Sequence, residues 1–244
     1  MRILIIGDSC TDKFIYGECK RICPEAPVPV FNPVKSTTNE GMARNVYNNL
    51  SSLDPNLKID FISNNTQIVK TRLVDIKTNQ MLLRIDDNDS CSQFKGLDEL
   101  EDYDVVVISD YNKGFLEEED IKFLIEKYPI SFIDSKKTFG EWVNDATFIK
   151  INEQEYIQNQ NKFTNSSFKG QLIVTMGEKG VKWNELIYPP TRQAEVSDLS
   201  GAGDTFFAGF ISQYLKSGSI IKSINFAQDC SLKAVEKKGV VIVK

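Results

Sequence analysis

Asp204 closes a run of small residues, Ser200-Gly201-Ala202-Gly203-Asp204, and the apolar stretch Thr205-Phe206-Phe207-Ala208-Gly209-Phe210 follows it directly. The spacing predicts a glycine loop that opens into a helix. The first amides of a helix have no partner inside it, and the helix dipole places partial positive charge at the same end. Glycines at 201 and 203 let the backbone approach a ligand closely. Together these features make an anion site, most naturally for phosphate. A carboxylate at such a site suits a general base for an incoming hydroxyl. The plainer alternative is that Asp204 only caps the helix. There is no histidine in the chain, which excludes Ser-His-Asp and Cys-His catalysis and every His-ligated metal site.

Further candidates stand at the ends of apolar runs. Asp8 and Asp12 follow Arg2–Ile6, Asp110 and Lys113 follow 104–109, and Lys136 follows Ile130–Ile133. Such continuous runs belong to parallel strands buried on both faces, whose carboxyl ends border the ligand crevice of open α/β sheets. For Asp8, turn chemistry at a strand end is the favoured reading. Thr147–Ile151 leads into Asn152-Glu153-Gln154-Glu155, where Asn152 suits a helix N-cap. Leu172–Thr175 leads into a turn with Gly177 and Gly180.

The elements that must position these residues read as α/β. Strands are expected near 2–6, 57–66, 104–109, 130–133, 147–151, 172–175 and 240–243, with a hairpin return over 185–195. Helices are expected from Glu40 to about Leu53, over 117–126 with Ile121, Leu124 and Ile125 inward, after 204, and over 220–236. Two stretches depart from this alternation. Lys13–Val34, with Pro24, Pro27, Pro29 and Pro33, suggests short irregular strands, because proline confines strands to edges. Residues 70–75 and 81–86 read as a hairpin around Lys77-Thr78-Asn79-Gln80. The first of these looks like a small β excursion from the main domain, not a linker.

At 244 residues, with 41% hydrophobic and 26% charged residues, one globular domain with a full core is expected. A net charge of −5 argues against a nucleic-acid or membrane-surface partner. No apolar run approaches the roughly 20 residues of a membrane span, and the start of the chain lacks a signal-peptide pattern. The five cysteines are scattered, which fits reduced thiols in the cytoplasm. A P-loop and a Gly-x-Gly-x-x-Gly turn after the first strand are both missing from the sequence.

Asp198-Leu199-Ser200-Gly201-Ala202-Gly203-Asp204-Thr205-Phe206 resembles the signature of the ribokinase-like (PfkB) sugar kinases. Three other segments, Arg21–Val30, Lys70–Asp86 and Ser109–Gly114, resemble the heptose-phosphate kinase branch of that family. The resemblance spans nearly the whole chain, with gaps after Leu57 and around 159–168. It implies a three-layer ribokinase-like fold, with lid segments at about 13–34 and 69–87. It implies ATP and Mg2+, Asp204 as catalytic base, and an anion hole at the loop Gly201, Ala202 and Gly203, built from the backbone N–H groups of Ala202, Gly203 and Asp204. For the acceptor it implies Asp12, Gly41, Asn45, Arg72, Asp110, Lys113 and Lys136. For the nucleotide it implies Asn152, Thr175, Gly177, Gly180 and Asn225, with Asn152 and Glu155 holding the magnesium through water. Met42 stands where the family has a second glycine, Arg44 where it has a small residue, and Ser135 where it often has proline. Arg21, Arg44, Arg72, Arg84, Lys113 and Lys136 promise surplus positive charge for an anionic acceptor, and apolar Phe14, Ile15, Val28 and Val30 promise a homodimer through the lids. A kinase of another sugar or nucleoside, or a catalytically weak sugar-binding homologue, remains the alternative.

Overall fold

In a computed structural model of the chain, residues 1–164 and 168–244 are described. The gap in resemblance around 159–168 therefore falls partly outside them. The strands are β1 (Arg2–Gly7), β2 (Ser9–Ile22), β3 (Pro29–Met42), β4 (Lys58–Ser63), β5 (Ile68–Asp75), β6 (Met81–Asp87), β7 (Val105–Asp110), β8 (Ser131–Ser135), β9 (Phe148–Asn152), β10 (Gln171–Thr175), β11 (Val181–Trp183) and β12 (Leu186–Tyr188). The α-helices are α1 (Ala43–Leu53), α2 (Glu118–Lys127), α3 (Glu153–Thr164), α4 (Ala202–Ser217) and α5 (Ile220–Val235).

The main sheet has the order β12-β11-β10-β9-β8-β7-β1-β4. It is parallel from β4 to β10, and β11 and β12 join antiparallel at one edge. From β1 the chain moves one way to β4, then crosses back to β7 and continues the other way. Right-handed crossovers in opposite directions place their helices on opposite faces. Accordingly α1 packs with α4 and α5 against one face, through Val46, Leu50, Phe207, Phe210 and Ile224. Ile121, Leu124 and Ile125 of α2 pack on the other, with Trp142 and Val143. Ile3–Ile6 and Val105–Ile108 are fully buried between the layers. Each such side chain contributes about 1.5–3 kcal/mol by leaving water. The order in which strands are added reverses between β1 and β7, so the crevice opens beyond their carboxyl ends.

The second sheet has the order β3-β2-β5-β6. Its first hairpin differs from the short irregular strands expected. β2 and β3 are each 14 residues long and pair along their length, with irregularities at Tyr16/Gly17 and Cys19/Ile22 that accommodate the prolines. The strands also run past the expected lid boundaries into 9–12 and 35–42. Glu40–Met42 is consequently strand, and the helix expected from Glu40 starts at Ala43. The 240–243 run is not a strand. Its backbone is held by side chains instead: Asn49 Oδ1 accepts from Val243 N at 2.9 Å, and Asn39, Asn49 and Ser52 donate to the carbonyls of Val240, Val241 and Val243. The return strand expected over 185–195 shortens to β12.

Candidate active site

Asp204 stands in the first turn of α4 and is 3% exposed. Gly201 caps that helix with φ 77°, in the left-handed region that favours glycine. No side chain caps α4. Ala202 N donates to Leu199 O at 3.3 Å, so of the three expected anion-hole amides Ala202 is already engaged within the loop. The amides of Gly203 and Asp204 are not taken by carbonyls of the preceding loop. They are open to an anion.

Two side chains from distant elements hold the Asp204 carboxylate. Asn45 Nδ2 on α1 donates to Oδ2 at 3.1 Å, and Tyr111 OH donates to Oδ1 at 2.5 Å. Asn49, one turn further along α1, donates to Asn45 Oδ1 at 2.8 Å, which turns the Asn45 amide nitrogen toward Asp204. Tyr111 is fixed in turn by Asp8, whose Oδ2 accepts from Tyr111 N at 2.6 Å. Asp8 thus shapes the turn, as the sequence suggests. Burial pushes the Asp204 carboxyl up to about 6, against the lowering effect of the bonds from Tyr111 and Asn45. A buried carboxylate poised near neutrality, beside open helix amides, can accept a proton from a hydroxyl while the amides hold an anion.

Lys150, on β9, approaches the same loop. Its Nζ donates to Asp134 Oδ2 at 2.6 Å, and a Cβ placed on Gly203 would lie 3.1 Å from it. Asp134 also meets Lys136 at 3.0 Å, and Lys136 meets Glu155 at 2.8 Å. Burial alone would raise Asp134, but Lys136 and Lys150 outweigh it and hold the carboxyl at about 2. Asn152 and Glu155 form a reciprocal box at the start of α3, each side chain accepting from the other's amide at 2.8–2.9 Å. The helix-cap reading of Asn152 therefore holds.

On the acceptor side, Asp12 is 6% exposed and paired with Arg72. Gly41 lies against them, because a Cβ there would meet Asp12 Oδ2 at 2.1 Å. Lys113 pairs with Asp89 at 2.5 Å, and Arg84 with Asp86. Asp110 does not face the crevice unengaged: Ser135 Oγ and Asn112 N donate to it and Lys137 stands 3.6 Å away. Arg44 lies over the Phe61 ring at 4.0 Å with Glu40 at 3.9 Å, and Arg21 is exposed. The surplus positive charge expected from the sequence is thus largely neutralised, since Arg44, Arg72, Arg84, Lys113 and Lys136 all have carboxylate partners.

On the far side of Gly203 lies a cavity of about 160 Å³ lined by Thr175, Gly177, Gly180, Val181, Gln228 and Ser231, among others. Ala202 and Gly203 form its inner wall. The buried Gln228 Oε1 has no hydrogen-bond partner among the described residues. Asn225 is exposed and is not part of this wall. Ile224, Ala227 and Gln228 form the buried stripe of α5 at helical spacing, and Asn225 lies about 100° away from Ile224 on the helix.

Lys70, Tyr111, Lys150 and Asn49 carry contacts that the motifs alone do not assign. Lys150 has a signal, as a lysine inside the apolar strand Phe148-Ile149-Lys150-Ile151. Asn49 has none beyond its place one helical turn after Asn45.

Comparison with known proteins agrees with this geometry. The chain is 29% identical over 289 aligned residues to the bifunctional protein HldE of a Nitratiruptor species, which covers 98% of this chain and 62% of that protein. It therefore spans less than two thirds of that relative. Among solved structures, ribokinase from Thermotoga maritima superposes with a TM-score of 0.74 at 15% identity, covering 98% of this chain and 94% of the other. Ribokinase from Cryptococcus neoformans in complex with ADP superposes with a TM-score of 0.69 at 13% identity, covering 98% and 95%. These likenesses establish the ribokinase-like fold. Residues 36–243 match the pfkB family carbohydrate kinase description, and the chain belongs to that family of phosphotransferases, whose acceptor is a sugar hydroxyl.

Proposed function

We propose that the chain acts as one kinase unit that transfers the γ-phosphoryl group of ATP to the anomeric hydroxyl of a heptose 7-phosphate or a closely similar sugar phosphate. The buried Asp204 carboxylate beside the open amides of Gly203 and Asp204 carries the chemical part of this reading. Asp204 takes the proton of the acceptor hydroxyl as its oxygen bonds to the γ-phosphorus. The bond from that phosphorus to the β,γ-bridging oxygen breaks, and ADP leaves with those electrons. The two amides and Lys150 stabilise the charge on the moving phosphoryl oxygens. Asn45 and Tyr111 orient the carboxylate. Asp12 and Gly41 bound the acceptor, and the lid sheet covers it.

The cavity beyond Gly203 suits the nucleoside of the donor. The unpartnered Gln228 Oε1 offers an acceptor to an amino or hydroxyl group, and Gly177 and Gly180 keep the wall open. Among the described residues no cluster of three or more acidic or cysteine side chains could hold a metal alone. Asn152 and Glu155, whose side-chain oxygens engage each other's amides and Lys136, would hold a magnesium ion through its waters. Such an ion supplies neutralising charge to the donor phosphates.

The sugar phosphate is supported by the three segments that resemble the heptose-phosphate kinase branch and by the HldE relative. Turnover with Mg-ATP over heptose 7-phosphate, heptose, ribose and fructose 6-phosphate tests the assignment. Heptose 7-phosphate is expected to give the highest kcat/KM. Preference for an unphosphorylated sugar would remove the substrate while leaving the kinase. The unpaired state of the five cysteines fits the reducing cytoplasm, and among the described residues no helix is long and apolar enough to cross a membrane.

A homodimer joined through the lids is part of the same reading, with one change of face. Phe14 is 2% exposed and packs inward with Tyr16 and Val74. The register instead aligns Ile15, Leu73 and Leu83 across β2, β5 and β6 on the opposite face, with Ile85 beside them. Leu83 is 53% and Ile85 42% exposed. A single sheet must bury such a face, and a second copy can cover it. Light scattering at micromolar concentration should give a dimer, and Leu83→Glu should shift it toward monomer. A monodisperse wild-type monomer would contradict the dimer.

A further inference from the structure

Among the described residues, those with a side chain at positive φ are Met42, Asn79, Asn88, Asn112, Asn184 and Glu185. The last five lie in connections after strands and are exposed or half-buried, and four of them are asparagine, which tolerates that half of the map. Met42 is different. It joins β3 to α1 with φ 58° and ψ −135°, outside even the left-handed helical well, and it is 3% exposed. It also stands where the family pattern has glycine, which would take this backbone without strain. A methionine held in so costly a conformation points to a task for its side chain.

The surroundings of that side chain give the task. Cys10, Met42 and Ile68 form a small buried cluster where the lid strands meet the main sheet, and Tyr111 and Cys91 pack against it. The backbones on the two sides are tied by one residue: Asp8 O accepts from Ala43 N at 2.9 Å, and Asp8 Oδ2 accepts from Tyr111 N at 2.6 Å. Tyr111 carries the hydroxyl bonded to Asp204 Oδ1, and Asn45, which holds Oδ2, is three residues after Met42. Met42 thus stands at the root of one donor and beside the other. The ring of Tyr111 also has the ammonium groups of Lys70 and Lys136 at 5.6 and 5.5 Å from its centroid. Attraction of that kind fixes no single ring position, whereas a close-packed apolar cluster does.

We propose that Met42 is a positioning residue for the base: its side chain buttresses Tyr111, so that the phenol stays on Asp204 and the carboxylate is oriented before an acceptor arrives. This rests on the kinase reading above and adds the residue that prearranges its base. Glycine at this position would relax the backbone and leave a gap in the cluster, into which the Tyr111 ring could turn away from Asp204. The bond from Tyr111 lowers the Asp204 carboxyl, so losing it must raise that carboxyl above its value of about 6. The other groups acting on Asp204 are Asn45 on α1, Asp134 on β8, Lys150 on β9 and the Cys10 thiol on β2, and glycine at 42 removes none of them.

The test is the titration of the Asp204 carboxyl in the free protein, followed by carbon NMR and assigned by its loss in Asp204→Asn. Tyr111→Phe should move it up by ~1 pH unit, the worth of one hydrogen bond to a charged group. Met42→Gly should move it in the same direction by at least about half as much. Met42→Leu, which refills the volume, should titrate with the wild type. Met42→Gly combined with Tyr111→Phe should titrate with Tyr111→Phe alone, because the side chain acts through the phenol. With Mg-ATP, kcat of Met42→Gly should fall by ~10–100-fold, the scale of a misplaced catalytic group. Urea unfolding shows which variants are folded, and Met42→Ala replaces Met42→Gly if that variant is not. A methionine that only fills the core would change stability and leave the titration of Asp204 where it is, and that result would overturn the proposal. So would additive shifts in the double variant, or a shift in Met42→Leu as large as in Met42→Gly. Because the titration is read without turnover, a Met42-dependent shift in a protein that phosphorylates no sugar would sink the kinase reading and leave the positioning. Turnover with an Asp204 titration that ignores Met42 would do the reverse.

Discussion

Asp204→Asn is expected to lower kcat by ~10²-fold or more while ATP binding persists, the usual scale for losing a general base. The amide keeps the shape of the side chain but cannot take the proton. The wild-type acid limb of kcat/KM should fall at about pH 6, where burial places this carboxyl in the free enzyme. The limb should disappear in the variant. The same shift has a sign for stability. The folded-state value lies above the ordinary 3.8, so this group favours the folded state below pH 3.8 and loses that contribution as pH rises through 6. Above pH 6 the ionised, buried carboxylate costs roughly 3 kcal/mol. Asp204→Asn should therefore be at least as stable as the wild type at pH 8 in urea unfolding. Turnover near wild type, or a clear loss of stability at pH 8, would remove Asp204 from this role.

Lys150→Met is expected to lower kcat by ~10²–10³-fold with little change in acceptor KM, the scale of losing one preorganised donor at a developing charge. Lys150 is not itself among the residues lining the nucleotide cavity. Its ammonium faces Asp134 and the Gly203 backbone. Asp134 keeps Lys136 in the variant, so it is not left as an unpaired buried charge. Single-turnover rates at saturating Mg-ATP read the chemical step directly. A rate within threefold of wild type would show that Lys150 serves only to neutralise Asp134. A rise in acceptor KM with kcat unchanged would place it in uniform binding instead.

The alternation of apolar runs and amphipathic stretches was legible because it is local. Ile3–Ile6 and Val105–Ile108 are buried on both faces, so they read as uninterrupted apolar strands. The lid hairpin at 77–80 was likewise legible from its own turn residues. The misreadings share a cause in competition from distant groups. Residues 240–243 look like a strand, yet side chains of Asn39, Asn49 and Ser52 take their backbone groups before any strand can. Lys13–Val34 looked too rich in proline for long strands. The bulges absorb the misfit, and pairing with β5 keeps β2 extended.

The sequence by itself determined the local chemistry: a glycine loop opening into an apolar helix with an aspartate in its first turn, strand ends bearing charged residues, and a chain without histidine. Each of these depends on neighbours a few residues away, where propensity and periodicity act. Only the tertiary structure decided which charges are spent and which remain. Asp204 receives its two bonds from residues 159 and 93 positions away, and strand order rather than spacing brings them there. Six cations look equally available along the chain. In the fold, five of them meet carboxylates, and a seventh, Lys70, is buried without one, because ion pairing falls off over a few ångströms and those distances are set by sheet register, which no single segment encodes.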